Sequence, residues 1–162
     1  GPGGLRSGCQ PGARCVSWER PAPFVLDIKV GTEHIDEFAH VNNAVYVGWL
    51  EQCAWAHSRS LGLTLDDYRR LDRGMLVVRH EIDYLAAARE GERLELGTWI
   101  VECDGRLSIA RQFQLRRPAD GVTLLRARTR FVCAELSSGR PRRMPAEFVE
   151  RYGRALVVPA AE

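Results

Sequence analysis

The stretch HIDEFAHVNN, residues 34–43, packs two acids, two imidazoles and two amides into ten positions, and the apolar run AVYVGWL follows at once. Asn42 or Asn43 suits the N-cap of a helix built from that run. Asp36 then stands in the turn just before the helix. A helix start presents unpaired N–H groups and a partial positive charge. Such a start polarises a carbonyl and stabilises the oxyanion that forms when the carbonyl is attacked. A neighbouring carboxylate is placed to attack the same carbonyl or to activate water for it. The chemistry these residue types suit is acyl transfer to water from an apolar acyl group. No G-x-S-x-G elbow is present, and Cys53 falls mid-helix without an evident base. Plain structural roles suit the same residues: Asp36 and Asn42 as caps, His40 as a loop residue. Residue types alone do not separate the two.

Other chemistry-bearing residues are weaker. The spacing of His34, Asp36 and His40 fits no zinc signature, and no further ligand cluster lies nearby, so no metal site is expected. Glu51 is, with Gln52, the polar break in a helix otherwise apolar from Ala44 to Ala56. Buried there, its carboxylate needs a partner or a raised pKa. It lies eight residues after Asn43, roughly 12 Å along the axis, too far to attack a carbonyl at the helix start of the same chain. His57 and His80 read as helix-face and strand residues.

The elements that would position these residues follow from periodicity. PFVLDIKV, 23–30, reads as a strand. Residues 43–61 read as a helix of roughly 27 Å that Gly62 can end in a left-handed conformation. Residues 64–72 read as a short helix capped by Thr64, with Asp66 and Asp67 in its first turn. Four strand-like runs come next, at 75–84, 92–103, 106–116 and 122–136, with a hairpin signal at Asp104-Gly105. In the third run Leu107, Ile109, Phe113 and Leu115 share a face broken only by Arg111. In the fourth, Leu125, Ala127, Thr129, Phe131 and Cys133 face one way and Arg126, Arg128 and Arg130 the other. A final helix near 145–153 opens with Pro145. Consecutive strands call for an antiparallel sheet, and its apolar face needs a cover. The long helix, apolar nearly all round, is that cover, buried on most sides by a curved sheet. The expected divisions are a flexible tail at 1–19, one domain at 20–155 and a short tail at 156–162.

The bulk properties are compatible with this. A chain of 162 residues, 45% apolar and 27% charged, suits one globular domain. A formal charge of +2 calls for no nucleic-acid partner. Lys29 is the only lysine, an arginine skew typical of GC-rich, bacterial genomes. The five cysteines, an odd number without a CxxC pair, read as thiols in a reducing compartment. With no membrane-spanning run and no apolar signal core, a cytoplasmic protein without membrane contacts is expected.

D-E-F-A-H-V-N-N-A-V-Y-V-G-W-L-E (36–51), with I-D-Y-L-A-A-A-R-E-G-E-R-L-E-L (82–96), resembles the hotdog-fold acyl-CoA thioesterases of the 4-hydroxybenzoyl-CoA thioesterase family. The similarity spans roughly residues 23–152. It implies an α+β hotdog fold, a long central helix wrapped by a five-stranded antiparallel sheet, and pairing of two subunits into a homodimer or a dimer of dimers with interfacial sites. Asp36 corresponds to the family's catalytic aspartate, with His40 beside it. The backbone N–H groups around Asn42 and Asn43 correspond to the oxyanion site. Val41, Tyr46, Glu51 and Arg111 are the substrate-binding candidates, Tyr46 as an aromatic of the acyl pocket. The implied reaction is hydrolysis of an acyl-CoA or acyl-carrier-protein thioester to a free acid and a thiol, with coenzyme A as part of the substrate and no other cofactor. Arg111, or the arginine face at 126–130, is either solvated surface or a grip on the coenzyme's phosphates. A catalytically silent acyl-CoA-binding protein of the same fold is the alternative. Phe38 stands where plant acyl-carrier-protein thioesterases often carry Asn, and Asn42-Asn43 where the Tol-Pal branch carries Tyr-His, so neither branch's substrate transfers.

Overall fold

The computed structural model describes residues 18–157. The elements run β1 (Phe24–Lys29), a 3-10 turn (Thr32–His34), α1 (Asn43–Ser60), α2 (Leu65–Leu71), β2 (Arg73–Tyr84), β3 (Arg93–Cys103), β4 (Ser108–Arg117), β5 (Val122–Glu135) and α3 (Ala146–Arg154). Each expected helix and strand is present. Most of the expected tails at 1–19 and 156–162, with Cys9 and Cys15, lies outside the described residues. None of the described helices is long and apolar enough to cross a membrane.

The five strands form one antiparallel sheet in the order β1-β3-β4-β5-β2. The chain leaves β1 at one edge, crosses the sheet as α1 and α2, and enters β2 at the other edge. Register shifts between Val77 and Arg79 and between Ile100 and Glu102 mark bulges that bend the sheet around the helix. This is the hotdog arrangement: a central helix of 18 residues against a curved five-stranded sheet.

Local chemistry explains the helix limits. The Asn42 side chain accepts from the Ala44 N–H at 2.9 Å and caps α1. At the other end Gly62 takes a φ of 84°, and the Leu63 N–H reaches back to the Ser58 carbonyl at 2.9 Å in a Schellman motif. Thr64 and Asp67 form a reciprocal capping box for α2. The β3–β4 turn is wider than a two-residue hairpin. The Asp104 carboxylate accepts from the N–H groups of Arg106, Leu107 and Ser108 at 2.7, 2.8 and 3.0 Å, which delays β4 to Ser108.

α1 buries Tyr46, Trp49, Leu50, Cys53, Ala54, His57 and Ser58, a stripe at helical spacing, on the sheet. Its other side, carrying Ala44, Glu51, Gln52 and Trp55, is exposed. The expectation of a helix covered on most sides is therefore corrected. The sheet of one chain covers one face only, so Glu51 reaches solvent and needs no buried partner.

The outer face of the sheet has its own cover. Trp18 packs edge-on to Trp99 at 6.0 Å between ring centroids, and the Arg116 guanidinium sits 3.8 Å over the Trp18 ring. The Glu19 N–H donates to Gln114 at 2.9 Å, and the Trp99 indole N–H to the Pro21 carbonyl at 2.9 Å. Gly97 lies beneath Trp18; a Cβ there would come within 2.6 Å of the indole. At the far end the Val157 N–H donates to the Ile100 carbonyl at 2.8 Å. Both ends of the described residues, Trp18 and Val157, thus pack on the sheet.

Candidate active site

The segment between β1 and α1 folds into a small closed loop. Ile35 and Val41 form an antiparallel bridge. On either side of it, the Asp36 N–H donates to the His40 carbonyl at 2.9 Å and the Asn42 N–H to the His34 carbonyl at 3.0 Å. Asp36 and the helix start are therefore held on the two arms of one short ladder. Ala39 turns the loop with a φ of 62°, and Phe38 stands at its tip, 79% exposed. The half-buried Asp36 turns Oδ1 inward, accepting from the Phe38 N–H at 2.8 Å and the His40 N–H at 3.4 Å. Its Oδ2 has no protein partner among the described residues.

A helix opens with four N–H groups that find no partner inside it. In α1 three are spent. Asn42 donates to His34, Ala44 to the Asn42 side chain, and Val45 to the Asn42 carbonyl at 2.9 Å. The Asn43 N–H remains uncommitted among the described residues. It is the donor through which the positive end of α1 can meet a ligand.

The second half of the sequence resemblance holds this start in place. Ala88 donates its N–H to the Tyr46 hydroxyl at 3.0 Å and accepts from the Val41 N–H at 3.1 Å. Gly91, with a φ of 83°, donates to the Val30 carbonyl at 2.8 Å. The Tyr46 ring lies between those of Trp49 and Tyr84, at 5.4 and 5.6 Å. Burial pushes the Tyr46 pKa up, against the opposing pull of the Ala88 N–H. Val41 and Tyr46 are 3% and 4% exposed. His34 offers Nδ1 to the Gly31 N–H at 2.9 Å and packs edge-on against Trp49. The His40 side chain makes no hydrogen bond among the described residues.

Glu51 and Arg111 belong elsewhere. Both line a cavity of about 280 Å³ between α1 and the sheet, walled by Leu50, Ile109, Phe113 and Phe131. Asp36, His40, Val41, Asn42, Asn43 and Tyr46 are absent from that lining. Leu50 follows Asn43 by seven residues, roughly 10 Å along α1. Within one chain the predicted site residues thus fall into two groups, a helix-start cluster and a cavity.

Sequence reasoning missed the polar network behind the cavity. Arg111, 1% exposed, donates to His57 Nδ1 at 2.6 Å and to Ser58 Oγ at 2.9 Å. Ser58 meets the Tyr152 hydroxyl at 2.9 Å, and Tyr152 meets that of Tyr68 at 2.5 Å. Burial, with the Arg111 charge added, pushes the His57 pKa down to about 3. Burial raises the Cys53 thiol to about 12, which leaves it an inert core group. The signal available in the sequence was Arg111 breaking the apolar face of β4. Arg126 and Arg128 lie on the opposite side of the sheet, paired with Glu19 and Glu102.

A curved sheet around a central helix, with an acid-bearing loop laced to the helix start, defines a hotdog-fold domain of thioesterase type. The chain belongs to the thioesterase-like superfamily, whose family model matches residues 30–152. It is 26% identical over 127 residues to the long-chain acyl-CoA thioesterase FadM of Escherichia coli K12, covering 76% of this chain and 92% of that protein. Two solved structures share the fold. Slr0204 of Synechocystis, a 1,4-dihydroxy-2-naphthoyl-CoA thioesterase, superposes with a TM-score of 0.73 at 19% identity, over 82% of this chain and 96% of that one. SAV2348 of Staphylococcus aureus, solved in complex with CoA, does so with a TM-score of 0.77 at 17% identity, over 90% and 92%.

His57 makes the polar network measurable. Its folded pKa of about 3 lies below the unfolded value of about 6.5, so the unfolded chain takes up the proton first. Its contribution is complete above pH 6.5 and is lost as pH falls toward 3, at about 1.4 kcal/mol per pH unit. Urea unfolding at pH 7 and pH 5 should show wild type losing about 2 kcal/mol more than His57→Gln, which keeps an acceptor for Arg111 but does not titrate. Equal losses would mean that His57 is not held neutral.

Proposed function

We propose that the protein hydrolyses acyl thioesters of coenzyme A, or of an acyl-carrier protein, to a free acid and a thiol. The observation that carries this reading is that the unbonded Asp36 Oδ2 and the uncommitted Asn43 N–H stand on the two arms of one bridged loop. Membership of the thioesterase-like superfamily and the likeness to FadM support it.

In this mechanism the thioester carbonyl oxygen accepts from the Asn43 N–H at the positive end of α1. Asp36 then attacks the carbonyl carbon, or takes a proton from a water that does. The negative charge that gathers on the oxygen is held by the same donor. Collapse of the tetrahedral intermediate breaks the C–S bond, and the leaving sulfur takes a proton to become the thiol. If Asp36 itself attacks, water cleaves the resulting anhydride and restores the carboxylate. Val41 and Tyr46 are positioning residues, fixing the helix start through Ala88. His40 fixes the loop through its backbone.

The reading includes assembly. β2 is an edge strand, and Leu76, Val77 and Val78 on it are 43%, 41% and 55% exposed. A long apolar edge is a liability that pairing with a second copy removes. The exposed side of α1 adjoins this edge through Glu51 and Trp55, which share the cavity lining with Leu76 and Val77. Sedimentation at micromolar concentration should give a two-fold homodimer or a dimer of dimers. An active monomer would contradict an interfacial site.

Asp36 is tested by release of free thiol from acyl-CoAs. Asp36→Asn keeps the loop's acceptor oxygen and should unfold at the same urea midpoint as wild type. Its turnover should fall by about 10²–10⁴-fold. Near wild-type turnover would remove Asp36 from the mechanism. Tight acyl-CoA binding without thiol release by the wild type would make this a silent binding protein of the same fold.

A further inference from the structure

Arg111 is a buried cation without a counter-ion. It projects from β4 toward α1, between Ile109 and Phe113 on its own strand and beside Thr129 of β5, whose hydroxyl is taken by His80. Its partners are neutral groups: His57 Nδ1, Ser58 Oγ and the Tyr152 hydroxyl. The rings of Phe131 and Tyr152 lie 5.8 Å from the guanidinium carbon, which softens the charge without cancelling it. No carboxylate of the described residues forms an ion pair with it. Burial disfavours its charged form, yet a guanidinium does not give up its proton in proteins. A desolvated charge is costly unless something of opposite sign completes it.

The same guanidinium lines the 280 Å³ cavity. The space would hold roughly nine water-sized groups. Its walls are chiefly apolar, from Leu50 and Ala54 on α1 to Phe113 and Phe131 on the sheet. Glu51 and His80 line it too, Glu51 from the exposed side of α1, so Arg111 is the buried charge of a mainly apolar chamber, which fits an apolar chain that ends in an anion. Guanidinium geometry favours a carboxylate, which accepts two parallel hydrogen bonds.

We propose that this cavity binds a carboxylate carried on an apolar chain of about eight carbons, with Arg111 as its counter-ion. The ligand is a free medium-chain fatty acid or an acyl group with a second carboxylate at its far end. Both present the same chemistry to Arg111. Asp36 of the same chain does not line this cavity, and binding of the free acid does not depend on hydrolysis.

Calorimetric titration of the full-length protein separates this from simple greasy binding. Octanoate should bind about 10- to 100-fold more tightly than octanamide, which has the same shape and no charge. Arg111→Met should bind both equally, and Arg111→Lys should keep a preference for octanoate. The lysine variant keeps the test decisive if the methionine variant does not fold. Quenching of Trp55, which lines the cavity, should accompany binding. Suberoyl-CoA against octanoyl-CoA then distinguishes the sources. A preference for suberoyl-CoA that Arg111→Met abolishes assigns an acyl terminus, and its absence alongside octanoate binding assigns the free acid. Equal affinity of wild type for octanoate and octanamide, or charge selectivity retained by folded Arg111→Met, overturns the proposal.

Discussion

Ala88 uses both of its backbone groups to fix where α1 begins. Its N–H is taken by the Tyr46 hydroxyl, one turn inside the helix, and its carbonyl by the Val41 N–H, just outside it. Both bonds are buried, and an unmade buried hydrogen bond costs about 1–3 kcal/mol. The helix start therefore cannot slide relative to the β2–β3 connection without losing one of them. The bridged loop at 35–41 adds a second restraint, and the Asn42 cap a third. Together they spend three of the four opening N–H groups and leave Asn43's in a defined place. A preorganised donor of this kind needs no rearrangement when charge develops on a bound carbonyl oxygen.

The two ends of α1 consequently differ in character. Its start is half-exposed, with an acid whose second oxygen is unbonded. Its last turns have a buried polar side, where His57 and Ser58 meet Arg111 and the hydroxyls of Tyr68 and Tyr152. Along the helix between these ends lies the cavity, opening beside exposed Glu51 and closing on buried Arg111. The bare edge of β2 and the exposed side of α1 border this opening. The single chain is thus most complete where the sheet covers the helix and least complete along that border.

Features set by local chemistry were legible in the sequence. Alternation in residues 122–134 placed Ala127, Thr129, Phe131 and Cys133 inward and the arginines outward. Asn42, Gly62 and Thr64 marked helix limits because their cap geometry depends on residues two or three positions away. The two stretches that carry the resemblance meet in the fold, where residues around Ala88 clamp those around Tyr46, a contact that the sequence alone did not disclose. Features that depend on distant contacts were not legible. Glu51 is exposed because the sheet covers only one side of α1, which no helical period reveals. The Arg111 network joins residues 53, 54, 84 and 94 positions apart. Trp18 gave no periodic signal, yet it covers the outer face of β3 above Gly97.

In the proposed reaction the Asn43 N–H and Asp36 act on one carbonyl. A crystal structure with an acyl-CoA analogue in which a methylene replaces the thioester sulfur tests it most directly, because the ketone keeps the carbonyl but cannot be cleaved. The ketone oxygen should lie about 2.7–3.1 Å from the Asn43 nitrogen, with Asp36 Oδ2 facing the carbonyl carbon directly or through one water. A bound analogue whose carbonyl lies away from the start of α1, with Asn43 still uncommitted, would contradict it.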